Sequence, residues 1–286
     1  HGLATRLTPQ DIASMLQFAV LSFIILPLLP DIGYGPSAVI NPRHIWLMVV
    51  LISGVSLCGY LALRFVGESK GLIVTGLLGG LVSSTAITLA FSRQVRAQEI
   101  EPELASSVIG LASLVVLLRL GLIVGITAPG VVRAFLVVLG FGIALGSAVV
   151  IPQLYRVWHS HPITPPRFTN PTNLRVALGF GIIYALILFI SAWLPAQIGN
   201  TGLFALSFLS GLTDVDAITL SSVKLASSNH ISERDAITAI VIAVLANNLL
   251  KICMTLFVGG NALAKRALPG LLGSPVGMLL GLWSSR

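Results

Sequence analysis

The sequence predicts an all-α protein: a polytopic bundle of transmembrane helices, about eight or nine segments in two internal repeats. Composition gives the first indication, since 55% of the residues are hydrophobic and 9% are charged, whereas a soluble domain carries about 25% charged residues. Several apolar runs are about 19 to 25 residues long, enough for a helix to cross a hydrocarbon core of about 30 Å. A duplicated ten-residue stretch predicts the repeats.

The apolar runs and their flanking turn residues define nine segments. In chain order, the predicted helices cover about 12–29, 45–66, 72–91, 104–126, 131–151, 174–194, 203–225, 236–258 and 268–283. Proline and glycine provide most of the boundaries, because proline cannot continue a helix and glycine suits turns. Pro9 suits a first helical turn, Pro27 and Pro30 end the first helix, and Pro152 ends the fifth. The last segment is short and glycine-rich, which fits either a tilted span or an interfacial helix.

The charged, histidine and cysteine residues exclude several functions. The net charge of +7 comes from basic residues placed singly at segment ends, which fits membrane anchoring and not nucleic-acid binding. Cys58 and Cys253 lie in apolar segments and are expected to be core residues. His159 and His161 lie in a loop with no acidic neighbour, which argues against a metal site there. We find no nucleophile–base spacing, and we expect no enzymatic activity.

The internal duplication is clearest at residues 80–89 and 211–220. The two stretches align without a gap at an offset of 131 (211 − 80), and six of their ten residues are identical. Each half then has four helices, with residues 1–130 as the first repeat and 131–286 as the second plus the terminal segment. Four spans per half would give both repeats the same orientation, whereas one re-entrant segment per half would invert them. Both arrangements remain open.

Two acids in the second copy predict a broken helix. On a continuous helix Asp214 and Asp216 would point about 200° apart. Gly211 can bend the chain, Thr213 can cap a new helix start, and Asp216 can complete a capping box. The first copy has three capping residues at the matching turn, namely Ser83, Ser84 and Thr85, with Ser83 at the position of Asp214 and Thr85 at that of Asp216. We therefore predict helix breaks at 80–85 and 211–216.

Ionisable residues inside a membrane mark ion or substrate pathways more often than structural contacts. The sequence therefore predicts a channel or carrier for a small inorganic ion, and oxygen ligands of this kind favour a cation. Asp214 and Asp216 would attract the ion and are the candidate metal ligands. The other proposed ion-binding residues are Thr213, Thr219, Ser83, Ser84, Thr85, Thr88 and Asn247, with Arg119 and Lys251 as charge partners. No organic cofactor is expected, only a bound inorganic ion.

Three other interpretations remain open. The acids can be structural, capping two helix starts or pairing with Arg119 or Lys251 in a buried ion pair. Exposed helix N-termini beside Arg119 and Lys251 would instead favour an anion. The protein can also be a regulatory or scaffold membrane module that transports nothing, because its glycine-rich faces suit helix association.

Four motifs resemble the C-terminal membrane region of MgtC/SapB-type proteins. They are DIGYGP at 31–36, NPRHIWLMVV at 41–50, GLLGGLVSST at 76–85 and SGLTDVDAIT at 210–219. In that family, a domain of unknown function often follows an MgtC-like membrane domain. The resemblance implies a bacterial inner-membrane protein linked loosely with magnesium homeostasis. It also implies an upstream membrane domain as a partner. A second copy of the chain is the alternative partner that we expect, besides the lipid bilayer.

Overall fold

The computed structural model describes residues 9–34, 40–47, 49–50, 53–54, 57, 71–128, 130–157, 182, 185–186, 189 and 200–285. Within these ranges the protein is all-helical, and the single extended pairing is an isolated bridge between Tyr34 and Ile40. Four of the described helices are long and apolar enough to cross a membrane. The predicted all-α membrane fold is therefore confirmed at this level. The predicted count of eight or nine segments and the division at residue 130 stay predictions.

Nine α-helices and two π-helical turns can be given bounds within the described residues, and further helical residues lie at 42–47, 49–50, 53–54 and 57. The α-helices are α1 Pro9–Ala19, α2 Leu26–Leu28, α3 Gly71–Arg96, α4 Pro102–Thr127, α5 Val132–Val157, α6 Asn200–Thr213, α7 Val215–Ser227, α8 Glu233–Met254 and α9 Asn261–Ser284. The π-helical turns are Val20–Ile25 and Thr255–Gly259. Most of the predicted helices at 45–66 and 174–194, together with His159 and His161, lie outside the described residues.

Two of the wrongly predicted boundaries involve prolines inside helices. The fifth predicted helix does not end at Pro152, because α5 continues through it to Val157. Proline removes one N–H from the ladder, but membrane helices tolerate this where neighbouring groups satisfy the freed carbonyl. The last segment is also longer than predicted: α9 has 24 residues and contains both Pro269 and Pro275. Gly260 precedes it with φ +91°, a conformation that favours glycine and turns the chain sharply into α9.

The last helix packs against α5 through small residues. A side-chain carbon at Gly277 would overlap the carbonyl oxygen of Phe141, and one at Gly273 would lie 3.3 Å from the Cα of Gly146. Glycines at such an interface let two membrane helices approach closely enough for extensive van der Waals contact. Close packing along Asn261–Ser284 makes α9 an integral part of the bundle, so of the two predicted alternatives the spanning helix fits better than an interfacial one.

Two apolar clusters fix the direction in which each helix runs. One cluster joins the end of α3, the start of α4, the end of α5 and the start of α9 (Phe91, Val95, Leu104, Ala105, Leu154, Val157, Leu263 and Ala267), with Ile252 near the end of α8 packed against it. The other joins the ends of α4 and α7 to the starts of α5 and α8 (Ile123, Val124, Val131, Phe135, Leu225, Ala226, Ala236 and Ile237). Helices α3 and α8 therefore run towards the first cluster, and α4 and α7 run towards the second.

The two sequence-matched segments, α3 and α6–α7, therefore run in opposite directions. The helices that follow them, α4 and α8, also run in opposite directions. The contacts within each pair nevertheless match. A carbon added at Gly80 would lie 2.9 Å from the Cα of Ala112, and one added at Gly211 would overlap the backbone of Ala243. Both residues of the second contact follow those of the first by 131 positions (80 + 131 and 112 + 131).

We expect Gly211→Ala to destabilise the protein by roughly 1–3 kcal/mol, because backbone atoms of α8 cannot move aside as a flexible side chain can. Gly140→Ala is the matched control: this exposed helical glycine has no heavy atom within 4 Å of an added carbon, so alanine should be neutral or slightly stabilising. Thermal unfolding of detergent-solubilised protein measures both. Equal melting temperatures for the two variants would contradict the close approach of α6 and α8.

Candidate functional site

The first predicted break lies at Ser83. Its backbone is extended (φ −168°, ψ 108°) inside the otherwise helical α3. The hydroxyl oxygen of Ser83 accepts a hydrogen bond from the N–H of Ala86 at 3.2 Å, so this serine caps the second half of the helix. Ser84 is buried and its carbonyl accepts from the hydroxyl of Thr88 at 2.9 Å, whereas Thr85 is half-buried.

The second predicted break lies between α6 and α7, at Asp214 (φ −153°, ψ 132°). Its carboxylate accepts from the N–H of Asp216 at 3.0 Å. The prediction that Thr213 is the cap is therefore wrong: Thr213 is the last residue of α6, and the cap is Asp214. The capping box is wrong for the same reason, since Asp216 is the second residue of α7 and not the third.

Each break also leaves carbonyls at the end of the preceding half-helix, and a neighbouring helix supplies donors to them. Arg119 on α4 donates from Nη1 to the carbonyl of Leu81 at 3.1 Å. Asn247 on α8 donates from Nδ2 to the carbonyl of Gly211, also at 3.1 Å. Helix ends always expose such groups, and in a membrane they must find partners within the protein. In Asn247, predicted as an ion-binding residue, the amide nitrogen is thus bound to a backbone carbonyl.

Buried Arg119 connects the two breaks, and its contact with the second is an ion pair. Arg119 Nη2 lies 2.9 Å from Asp216 Oδ2, and the two side chains are only 8% and 4% exposed. The same guanidinium binds Leu81 just before the first break and Asp216 just after the second. Of the two predicted charge partners, Arg119 is therefore the one that meets an acid. Lys251 is 1% exposed and donates to the hydroxyl of Ser113 at 3.3 Å.

Several buried oxygens on α7 have no hydrogen-bond partner within the described part of the chain. They are Oδ1 of Asp216, Oγ1 of Thr219 and the hydroxyl of Ser222, and Nε of Arg119 is likewise unpartnered. The three α7 residues are spaced by three, so they follow one stripe of the helix. Thr219 was predicted and Ser222 was missed. The three-residue spacing that begins at Asp216 could have indicated Ser222. Serines that only contact a neighbouring helix, however, can have the same spacing.

The two broken helices are therefore chemically unequal. In α3 the hydroxyl of Thr88 is bonded to Ser84, whereas the matching Thr219 in α7 leaves its hydroxyl oxygen available. The acids are also confined to the second break. Asp214, though a predicted metal ligand, is half-buried and uses one oxygen as a cap. No group of three or more His, Cys, Asp or Glu residues suited to a metal occurs among the described residues.

Residues 50–259 match the family described as "Domain of unknown function (DUF4010)". The chain belongs to this family. The matched region contains both breaks as well as Arg119, Asp216 and Lys251, and it ends before α9. A similar protein of Aquifex aeolicus (strain VF5), described as "Uncharacterized protein", is 34% identical over 194 residues, covering 67% of this chain and 84% of the relative. No solved structure matches. The resemblance to MgtC/SapB-type proteins stays a prediction.

Because the guanidinium of Arg119 and the carboxylate of Asp216 are buried together, removing either alone should cost roughly 3–5 kcal/mol of stability. We expect Asp216→Asn and Arg119→Gln each to lower the unfolding free energy strongly, and the double variant to recover much of the loss. Denaturation of the three variants in one detergent gives the coupling energy. Asp214→Asn is the control, since asparagine also caps helices well. Additive losses in the double variant would contradict the pairing.

Proposed function

We propose that this protein transports a small inorganic cation across a membrane, with Asp216 at the centre of its site. The observation that carries the proposal is buried Arg119, which forms an ion pair with Asp216 and donates to the carbonyl of Leu81. It thereby links two broken helices that run in opposite directions. Broken helices with opposed directions are a recurrent way to build a transport site, because they bring helix ends and unpaired polar groups to the middle of a bundle.

We further propose that residues 71–127 and 200–254 are two copies of one element in inverted orientation. The matched breaks at Ser83 and Asp214 support this, as do the matched helix contacts of Gly80 and Gly211. The opposite directions of α4 and α8 favour the inverted arrangement over two parallel repeats of four helices. Inverted repeats allow one half to move against the other while the site between them stays in place.

The described contacts favour a cation over an anion. The N-terminus of α7, which could attract an anion through its dipole, already has the carboxylates of Asp214 and Asp216 in its first turn. Its unpartnered buried atoms, on Asp216, Thr219 and Ser222, are oxygens. Lys251 supports the anion alternative, because it is a buried lysine whose partner is a serine hydroxyl and not a carboxylate.

The cellular setting follows as part of the same proposal. Four apolar helices of spanning length support an integral membrane protein, and we propose the bacterial inner membrane as its location. An upstream MgtC-like domain or a second copy of the chain remains our proposed partner.

The test is ion flux into proteoliposomes, screening Na⁺, K⁺, H⁺, Mg²⁺ and Cl⁻. We expect the parent protein to carry a cation and Asp216→Asn to lose at least about tenfold in rate, a barrier change of roughly 1.4 kcal/mol or more. Glu233→Gln, which removes an exposed acid at the start of α8, should keep the parent rate. Selective Cl⁻ flux would favour the anion alternative. Folded protein that carries no ion would contradict transport and favour a regulatory or scaffold role.

A further inference from the structure

We propose that the transported cation is monovalent and that it binds Asp216 Oδ1 and Thr219 Oγ1. The positively charged side chain of Arg119 competes with this cation for Asp216. The assignment rests on the proposed function for its role in transport. The binding reaction itself can be tested without any flux.

The geometry of α7 provides the ligands. Asp216 Oδ2 contacts Arg119 Nη2 at 2.9 Å, whereas Oδ1 has no hydrogen-bond partner among the described residues. Thr219 lies one turn further on, and residues three apart on a helix have Cβ atoms about 5–6 Å apart. It is fully buried, and its Oγ1 is likewise unpartnered. A carboxylate oxygen and a hydroxyl oxygen on one helix face are suitable ligands for a hard cation.

Charge balance selects the valence. Arg119 carries one positive charge and Asp216 one negative charge, so the buried pair is neutral. A monovalent cation at the carboxylate, with the guanidinium still held at the carbonyl of Leu81, leaves one net positive charge at the site. A divalent cation would leave two net positive charges in an apolar interior that already contains buried Lys251. Because uncompensated charge there is costly, the smaller excess favours a monovalent cation.

Arg119 can release Asp216 without losing every partner. Its Nη1 donates to the carbonyl of Leu81 at 3.1 Å, on the other broken helix. This second bond holds the guanidinium at the first break when a cation takes over the carboxylate. Entry of the cation therefore exchanges one partner of Asp216 for another and loosens the link between α4 and α7, while the link between α4 and α3 remains.

The test is cation-dependent thermal stabilisation of the full chain in detergent, because a ligand that binds the native state raises its stability. LiCl, NaCl, KCl and MgCl₂ are titrated separately, with choline chloride keeping the ionic strength constant. We expect saturable stabilisation by at least one monovalent cation and a weaker effect of Mg²⁺. Thr219→Val should raise the half-saturating concentration about tenfold through loss of one ligand. Thr238→Val, whose hydroxyl only donates to the carbonyl of Arg234, should not change it.

Competition is tested by weakening Arg119. Arg119→Lys keeps a positive charge but loses the forked geometry, so it should fold and should lower the half-saturating concentration of the preferred cation severalfold. Arg119→Gln, measured wherever it folds, should lower it further. Unchanged half-saturation in Arg119→Lys, preferential stabilisation by Mg²⁺, or binding that ignores Thr219→Val would each overturn the inference. Cation flux without such binding would overturn it and leave transport standing. Binding without flux would support this site and contradict the proposed transport.

Discussion

The ion pair between Arg119 and Asp216 is the interaction on which the arrangement of the broken helices depends. Two charges buried to this extent are tolerated only as partners, because each alone would carry a large desolvation cost. The pair fixes α4 against α7, and the second guanidinium bond fixes α4 against the end of the first half of α3. One side chain thereby sets the relative position of two breaks that lie more than a hundred residues apart in the chain.

Breaking a helix inside a membrane exposes donors on one side and acceptors on the other, and the protein supplies a group for each. Ser83 and Asp214 accept from the new helix starts, while Arg119 and Asn247 donate to the old helix ends. Ser83 and Asn247 are neutral, and the charged Asp214 accepts from a backbone N–H. Of the four, Arg119 is the group that also meets a carboxylate, so under the proposed function it is the residue at which a bound cation would alter the connection between the two broken helices.

The two broken helices share a backbone arrangement but differ in the polar groups that they leave without a partner. Both broken helices pack a glycine against an alanine of the following helix, and both leave helical geometry at the same aligned position. In the first copy the hydroxyl of Thr88 donates to the carbonyl of Ser84, whereas in the second an oxygen of Asp216 and the hydroxyl of Thr219 have no partner among the described residues. The two broken helices thus match in their backbone geometry, and the two acids at the breaks belong to the second.

The sequence by itself determined the helical membrane class and the positions of both breaks, because apolar run length, glycines and capping residues act locally. It also predicted that the two acids, Thr219 and Arg119 share one site, and the structure brings Arg119 into contact with Asp216. Only the tertiary structure decided that Asp214 is the cap, that α5 passes through Pro152 and that the matched helices run in opposite directions. It also decided that Arg119 and not Lys251 meets Asp216. At the offset of 131, Arg119 aligns with position 250 (119 + 131), one residue before Lys251. A shift of one residue turns a side chain by about 100° around a helix. With that rotation, Lys251 contacts Ser113. Which neighbour a side chain contacts depends on how the helices pack and not on the spacing within either segment.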